Sequence, residues 1–160
     1  MTIKPGDRLP AAEFSIMTAD GQQKLSTDAI FTGRRVVLFA VPGAFTPTCS
    51  NNHFPGFLRD AEAIKAKGAD TIACTAVNDV HVMNAWANAS NAGGKILMLS
   101  DGNGAFARAL GLNVDLTASG MGERSRRYSM IVDNGVVKTL NVEDKPGVNV
   151  SGAETILTQL

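Results

Sequence analysis

The stretch RRVVLFAVPG, residues 34–43, is a continuous run of β-branched, leucine and aromatic residues that ends at a proline and a glycine. A run without polar alternation is typical of a strand whose two faces are both buried. We therefore predict a central strand over residues 34–41, stopped at its carboxyl end by Pro42 and Gly43.

The chain beyond this strand alternates between helical and strand patterns. Pro55 is predicted to bend or split the first helix, and Asp79 to cap the second. Further strands are predicted in residues 70–79, 95–101 and the two halves of 126–142. Further helices are predicted in residues 53–68, 80–90, 103–111 and 151–160.

Two local signals define the C-terminal part of the predicted fold. Asn134 and Gly135 separate two β-type runs and indicate a tight hairpin. Ser151 and Glu154 have the spacing of a capping box at the start of the last helix. A βαβα half followed by a ββα half predicts an α/β thioredoxin-like fold with a mixed central sheet flanked by helices, formed by a single domain over residues 1–160.

Composition excludes several classes of partner. Fifteen basic and fifteen acidic side chains give a formal net charge of zero, which does not favour binding to nucleic acid or to an anionic membrane surface. The N-terminal segment lacks the apolar core of a secretion signal, and no later run is long enough for a membrane span. We expect a soluble, cytoplasmic protein without a cofactor or a bound metal.

Cys49 follows the central strand at the edge of the sheet where α/β folds collect their functional groups. Pro47 suits an early helical position, so we expect Cys49 in the first turn of the next helix, where free N–H groups favour a thiolate. A disulfide oxidoreductase would carry Cys-x-x-Cys here, but Thr46 occupies the first position. The segment therefore offers one nucleophile with a hydroxyl about one turn away.

Pro42, Thr46 and Cys49 form the pattern P-x-x-x-T-x-x-C, which resembles the active-site signature of the peroxiredoxins, in particular the type II or peroxiredoxin-five-like subfamily. The resemblance extends through AVND, GERSRRYSMIVDNG and LNVED to almost the full chain. It implies a thiol-dependent peroxidase that reduces hydrogen peroxide and alkyl hydroperoxides through a sulfenic acid at Cys49. It also implies recycling by glutathione with glutaredoxin, or by thioredoxin, and a noncovalent homodimer formed through loops around the site, where Phe45 lies on a turn.

The resemblance assigns roles to the other residues of the signature. The family arginine falls on Arg127, whose fixed charge and several donors suit a confined anionic site. Thr46 would hydrogen-bond the peroxide, Pro42 would shield the pocket from water, and the backbone N–H of Cys49 would help to hold the substrate. Arg124 and Arg126 are expected on a solvated basic face.

Two interpretations compete for Cys74, a resolving cysteine and a buried structural thiol. Its mid-strand position implies an offset from Cys49 of about 10 Å along the strand, beyond the reach of a disulfide without backbone movement. In plant members of the subfamily, however, a resolving role has been attached to a cysteine that matches Cys74, while other members carry a resolving cysteine near Ser151. We favour a buried structural thiol and a one-cysteine cycle.

Other interpretations compete with the peroxidase. In the simplest interpretation, Cys49 is a small buried apolar residue of the core without a chemical role. His53 lies four residues after Cys49 and could form the Cys-His pair of a peptidase or acyl transferase, although a packing or hydrogen-bonding role near the site fits it better. A zinc site from Cys49, His53, Cys74 and His81 has suitable ligands but no familiar spacing. A thioredoxin-like interaction module with an incidental cysteine is the non-enzymatic alternative.

Overall fold

The computed structural model describes residues 2–160 and is built around a seven-stranded mixed sheet in the order β2-β1-β5-β4-β3-β8-β9. The strands are β1 (Glu13–Thr18), β2 (Gly21–Ser26), β3 (Arg35–Ala40), β4 (Thr71–Ala76), β5 (Leu97–Ser100), β6 (Asn113–Asp115), β7 (Glu123–Ser125), β8 (Tyr128–Asp133) and β9 (Val136–Val142). The α-helices are α1 (Thr27–Phe31), α2 (Phe54–Arg59), α3 (Ala61–Ala66), α4 (Val80–Ala89), α5 (Ala105–Leu110) and α6 (Ala153–Gln159).

Strand β3 lies in the interior of the sheet, as its apolar sequence predicts. It pairs with β4 in parallel and with β8 antiparallel. Val37 and Phe39 face one apolar cluster, while Val36 and Leu38 face the cluster on the opposite side. Because side chains alternate across a strand, an uninterrupted apolar run buries both faces.

The elements predicted after β3 are present and follow one another in the predicted order. Helices follow β3, β4 and β5, and Asp79 caps α4 by accepting a hydrogen bond from the Val82 N–H over 2.9 Å. The β8–β9 hairpin turns at Asn134 and Gly135, which both have positive φ. Two residues in this conformation make the turn that matches the twist of paired strands.

The N-terminal hairpin has no counterpart among the predicted elements. Strands β1 and β2 pair antiparallel from Glu13 opposite Ser26 to Thr18 opposite Gly21. Gly21 has a φ of 103°, and the dipeptide Asp20-Gly21 is a hairpin signal present in the sequence. The second sheet, which consists of β6 and β7, was not predicted either. Strands of three residues are too short to show a hydrophobic periodicity in the sequence.

Pro55 does not split the first helix, which is one of the two effects predicted for it. Pro55 lies inside the first turn of α2, where a missing N–H is tolerated, and the break comes at Asp60, between α2 and α3. Within residues 2–160, every helix is too short or too polar to cross a bilayer.

Candidate active site

Cys49 lies beyond the carboxyl end of β3, in a helical segment with an unusually wide first turn. Residues 47–48 are α-helical, Cys49–His53 form a π-helical turn, and α2 continues the segment. The Phe54 N–H bonds to the Cys49 carbonyl, and Pro55 has no N–H to donate into the turn. Such wide turns frequently occur at functional sites.

The Cys49 sulfur is fully buried and accepts a hydrogen bond from Arg127. Nη2 of Arg127 lies 3.0 Å from the sulfur. Arg127 is half-buried and joins β7 to β8, next to β3 in the sheet. Arg127 therefore places a fixed cation with a hydrogen-bond donor directly against the sulfur.

The loop between β3 and Cys49 carries Pro42 and Thr46. The Thr46 hydroxyl donates to the Gly43 carbonyl over 2.7 Å, and the Ala44 N–H donates to the Asn78 side chain over 2.9 Å. Because the Thr46 proton is occupied, its oxygen remains available mainly as an acceptor. Pro42 is half-buried between Val41 and Gly43.

His53 is a site residue whose role as a partner of Arg127 was not predicted from the sequence. Its Nε2 lies 2.9 Å from the Ser151 carbonyl, and its Nδ1 lies 2.9 Å from Nη1 of Arg127. Burial is the largest influence on His53 and lowers its pKa. The hydrogen bond to the Ser151 carbonyl raises the pKa and the Arg127 charge lowers it, so that the pKa is about 4. The ring is therefore neutral at pH 7.

The hydrogen bonds of His53 argue against a Cys-His nucleophile pair. A general base must reach the thiol with an unoccupied nitrogen. Both ring nitrogens of His53 are engaged, one by Ser151 and one by Arg127. The spacing C-x3-H could have placed His53 near the site, but it carries no information about Arg127.

The expectation of a solvated basic face for Arg124 and Arg126 is wrong. Both side chains are half-buried. Arg124 donates to the carbonyls of Met121 over 2.9 Å and of Pro42 over 3.4 Å, and Arg126 donates to the Glu143 carbonyl over 3.1 Å. Both guanidinium groups thus bind backbone carbonyls of neighbouring segments, since arginine carries several donors.

Cys74 lies deep in β4, opposite Phe39 in the register with β3. It is fully buried in the same apolar cluster as Cys49, and both are free thiols. Burial raises the pKa of Cys74 well above its usual range, and the nearby Cys49 raises it further. A protonated thiol is a poor nucleophile, so this surrounding does not favour attack by Cys74.

The four side chains considered for zinc do not form a metal site. His81 is exposed on α4, whereas Cys74 is inside the sheet. Throughout residues 2–160, no three His, Cys, Asp or Glu side chains are grouped so that they could hold a metal ion.

Ser151 does not cap α6, contrary to the predicted capping box. The N-cap is Gly152, without a side-chain hydrogen bond. The Ser151 hydroxyl instead donates to the buried carboxylate of Glu143 over 2.6 Å. This hydrogen bond directs the hydroxyl toward Glu143 rather than toward the N–H groups of α6.

Comparisons with known proteins give a consistent result over nearly the whole chain. A family model described as Redoxin matches residues 4–157. Peroxiredoxin-2E-2 of Oryza sativa subsp. japonica, named chloroplastic, is 51% identical over 99% of this chain and 73% of its own length. Peroxiredoxin-2C of the same organism is 46% identical over 99% and 98%. Reduced Prx3 from Vibrio vulnificus, solved in complex with H2O2, is 52% identical, covers 99% of both chains and has a TM-score of 0.95.

Proposed function

We propose, because the chain belongs to the peroxiredoxin family of thiol-dependent peroxidases, that its peroxidase reaction takes place at Cys49. The observation that carries the proposal is the 3.0 Å hydrogen bond from Arg127 to the Cys49 sulfur. The relatives named peroxiredoxin-2 also support the type II resemblance, and the fold is that of thioredoxin-like peroxiredoxins.

The reaction needs a thiolate and a donor for the leaving oxygen. The Cys49 thiolate attacks the terminal oxygen of a hydroperoxide, ROOH. An S–O bond forms while the O–O bond breaks, so that sulfur is oxidised to a sulfenic acid and RO⁻ leaves to take up a proton as ROH. Arg127 stabilises the thiolate and then the charge that develops on the departing oxygen.

Thr46, Pro42 and the Cys49 backbone complete the proposed site. Because the Thr46 hydroxyl donates its hydrogen bond to the Gly43 carbonyl, its oxygen accepts a hydrogen bond from the O–H of the peroxide. Pro42 shields the buried sulfur from water, and the backbone N–H of Cys49 holds the substrate. The site excludes bulk water, which strengthens each of these interactions. Hydrogen peroxide and alkyl hydroperoxides are the proposed substrates.

The proposed reductant is an external thiol, supplied by glutathione with glutaredoxin or by thioredoxin. A first thiol condenses with the sulfenic acid to form a mixed disulfide and water. A second thiol then releases Cys49 as a thiol and leaves a disulfide on the reductant. Since the sulfur is fully buried, the π-helical turn must open before a protein thiol can reach it.

We test the site assignment by trapping the sulfenic acid. Protein treated with one equivalent of hydrogen peroxide is reacted with a dimedone probe and mapped by peptide mass spectrometry. We expect the label at Cys49. Label at Cys74 alone, or no label during active peroxide consumption, would place the chemistry elsewhere.

The exposed apolar side chains near the site support a homodimer. Phe45 is 53% exposed and Val150 is 43% exposed, and these are the large exposed hydrophobics in residues 2–160. Phe45 adjoins Thr46 and Val150 adjoins Ser151, so both lie on loops around the proposed site. We expect a dimer in sedimentation at micromolar concentration and a shift toward monomer in Phe45→Ser and Val150→Ser. A monomeric unsubstituted protein would refute the proposal.

We also propose that residues 1–160 act as one domain and that the protein works in the cytoplasm, where two free thiols remain reduced. The family match spans residues 4–157, which supports the single domain. Cell fractionation tests the location: recovery in a membrane or organelle fraction would contradict it.

A further inference from the structure

Glu143 follows β9, and its carboxylate binds the loop formed by residues 149–151. One oxygen accepts hydrogen bonds from the backbone N–H groups of Asn149, Val150 and Ser151, each at 2.8 Å, and from the Ser151 hydroxyl at 2.6 Å. The residue is only 6% exposed. Burial raises the pKa of Glu143, but these hydrogen bonds outweigh it and the net pKa is lowered, so the group is ionised at neutral pH.

The backbone of Glu143 is joined to the segment that carries the catalytic cation. Its N–H donates to the Arg127 carbonyl over 3.0 Å, and its own carbonyl accepts from Arg126 over 3.1 Å. Glu143 therefore links the 149–151 loop to the start of β8.

The Ser151 carbonyl in this loop determines which nitrogen of His53 carries the proton. A carbonyl oxygen can only accept, so Nε2 of His53 donates to it over 2.9 Å. A neutral imidazole has one N–H, which leaves Nδ1 as an acceptor. Nη1 of Arg127 donates to that nitrogen over 2.9 Å.

Arg127 is thus held in a fixed orientation. One of its terminal nitrogens binds His53 and the other binds the Cys49 sulfur at 3.0 Å. If Nδ1 of His53 carried the proton, two donors would face each other and the guanidinium would have to turn away. The Ser151 carbonyl prevents this tautomer.

We propose that Glu143 and His53 are positioning residues for the peroxidase reaction, in which Glu143 holds the 149–151 loop and His53 directs Arg127 at the Cys49 sulfur. The proposal rests on the assignment of the reaction to Cys49. Neither side chain reacts with peroxide. Their effect on the rate is exerted through Arg127.

Two substitutions of His53 separate its two hydrogen bonds. His53→Asn places an amide oxygen near the position of Nδ1 and retains the acceptor for Arg127. His53→Gln reaches toward the Ser151 carbonyl but leaves Arg127 without its acceptor. We expect His53→Asn to keep at least about ten times the second-order rate constant of His53→Gln for oxidation of Cys49 by hydrogen peroxide. Equal losses in the two variants would overturn the role of His53.

A double-mutant cycle tests the longer connection. Glu143→Ala should slow Cys49 oxidation at least about tenfold in the otherwise unsubstituted protein, but less than about threefold when Arg127 is already Gln. Glu154→Ala is the matched control, since its carboxylate is exposed beside the same loop. Equal fold-losses in both backgrounds would overturn the proposal, because a merely structural defect is independent of Arg127.

Circular dichroism and urea unfolding establish that each variant is folded. If Glu143→Ala does not fold, Ser151→Ala, which removes only one of the four hydrogen bonds, takes its place in the cycle with the same criterion of non-additivity. Absence of Cys49 oxidation in the unsubstituted protein would refute the proposed function itself, whereas normal oxidation with additive losses would refute only the positioning role.

Discussion

Nη2 of Arg127 lies 3.0 Å from the sulfur of Cys49, and these two residues are 78 positions apart in the chain. Arg127 directly precedes β8, and Cys49 lies in the helical turn that follows β3. A planar guanidinium suits this position, because its other terminal nitrogen donates to His53 at the same time.

We expect Arg127→Gln to lower the rate constant for Cys49 oxidation about 10²- to 10³-fold, the effect of removing one preorganised donor from an anionic site. Arg127→Lys should restore only part of this loss, since an ammonium group cannot bind Cys49 and His53 with the same geometry. Stopped-flow measurements with hydrogen peroxide give the rates. Arg34→Gln, at an exposed position, is the control, and an unchanged rate in Arg127→Gln would move the key cation elsewhere.

Thr46 offers a test of hydrogen-bond direction. Thr46→Val retains the shape of the side chain but removes the oxygen proposed to accept from the peroxide, and we expect a loss of tenfold or more, or about 1.4 kcal/mol. Thr46→Ser keeps the oxygen and should retain most of the rate. The same stopped-flow assay decides, and equal rates for the valine and serine variants would remove Thr46 from the reaction.

His53 should make stability depend on pH with a definite sign. Its pKa is lowered from 6.5 to about 4 on folding, so the unfolded chain binds more protons in this interval. Stability from this group is therefore present above the unfolded value and is lost as the pH falls toward 4. Between about pH 7 and pH 5 we expect a loss of about 2 kcal/mol.

Urea unfolding at these two pH values measures the effect. His53→Gln has no ring to titrate. Between pH 7 and pH 5 its free energy of unfolding should therefore fall by about 2 kcal/mol less than that of the unsubstituted protein. Parallel pH profiles for the two proteins would show that His53 titrates alike in the folded and unfolded states. Glu143 is present in both proteins, so its own titration contributes to both pH profiles.

Cys74 should remain a thiol during oxidation. With excess peroxide and no reductant, the sulfenic acid at Cys49 has no accessible partner and should proceed to the sulfinic form. Intact mass spectrometry should show a gain of two or three oxygens, equally in Cys74→Ser. A loss of two hydrogens mapped to a Cys49–Cys74 disulfide would instead show that the turn opens far enough for Cys74 to act as the resolving residue.

Much of the fold follows from local sequence patterns. The run 34–41, the Asn134-Gly135 turn and the Asp79 cap are strong signals because burial periodicity and backbone geometry act over a few residues. The N-terminal hairpin was not predicted although Asp20-Gly21 marks it. The failed capping box has a different cause, since a distant carboxylate binds Ser151.

The candidate site divides in the same way. Cys49, Thr46 and Pro42 lie in one segment and are apparent from its pattern, and Arg127 was added by resemblance to a family. His53 contacts Arg127 and Ser151, which lie 74 and 98 positions away in the chain. Glu143 binds Ser151 at the other end of a loop. No spacing rule encodes such contacts, because they depend on how β8, β9 and the Cys49 turn meet in space.

The central claim is that Cys49 is the residue that attacks peroxide, and single-turnover oxidation tests it most directly. Reduced protein is mixed with hydrogen peroxide in a stopped-flow instrument, and peroxide consumption is compared for Cys49→Ser and Cys74→Ser. We expect Cys49→Ser to consume no peroxide above the rate of the buffer, while Cys74→Ser consumes one equivalent at close to the unsubstituted rate. Retained consumption in Cys49→Ser would contradict the claim.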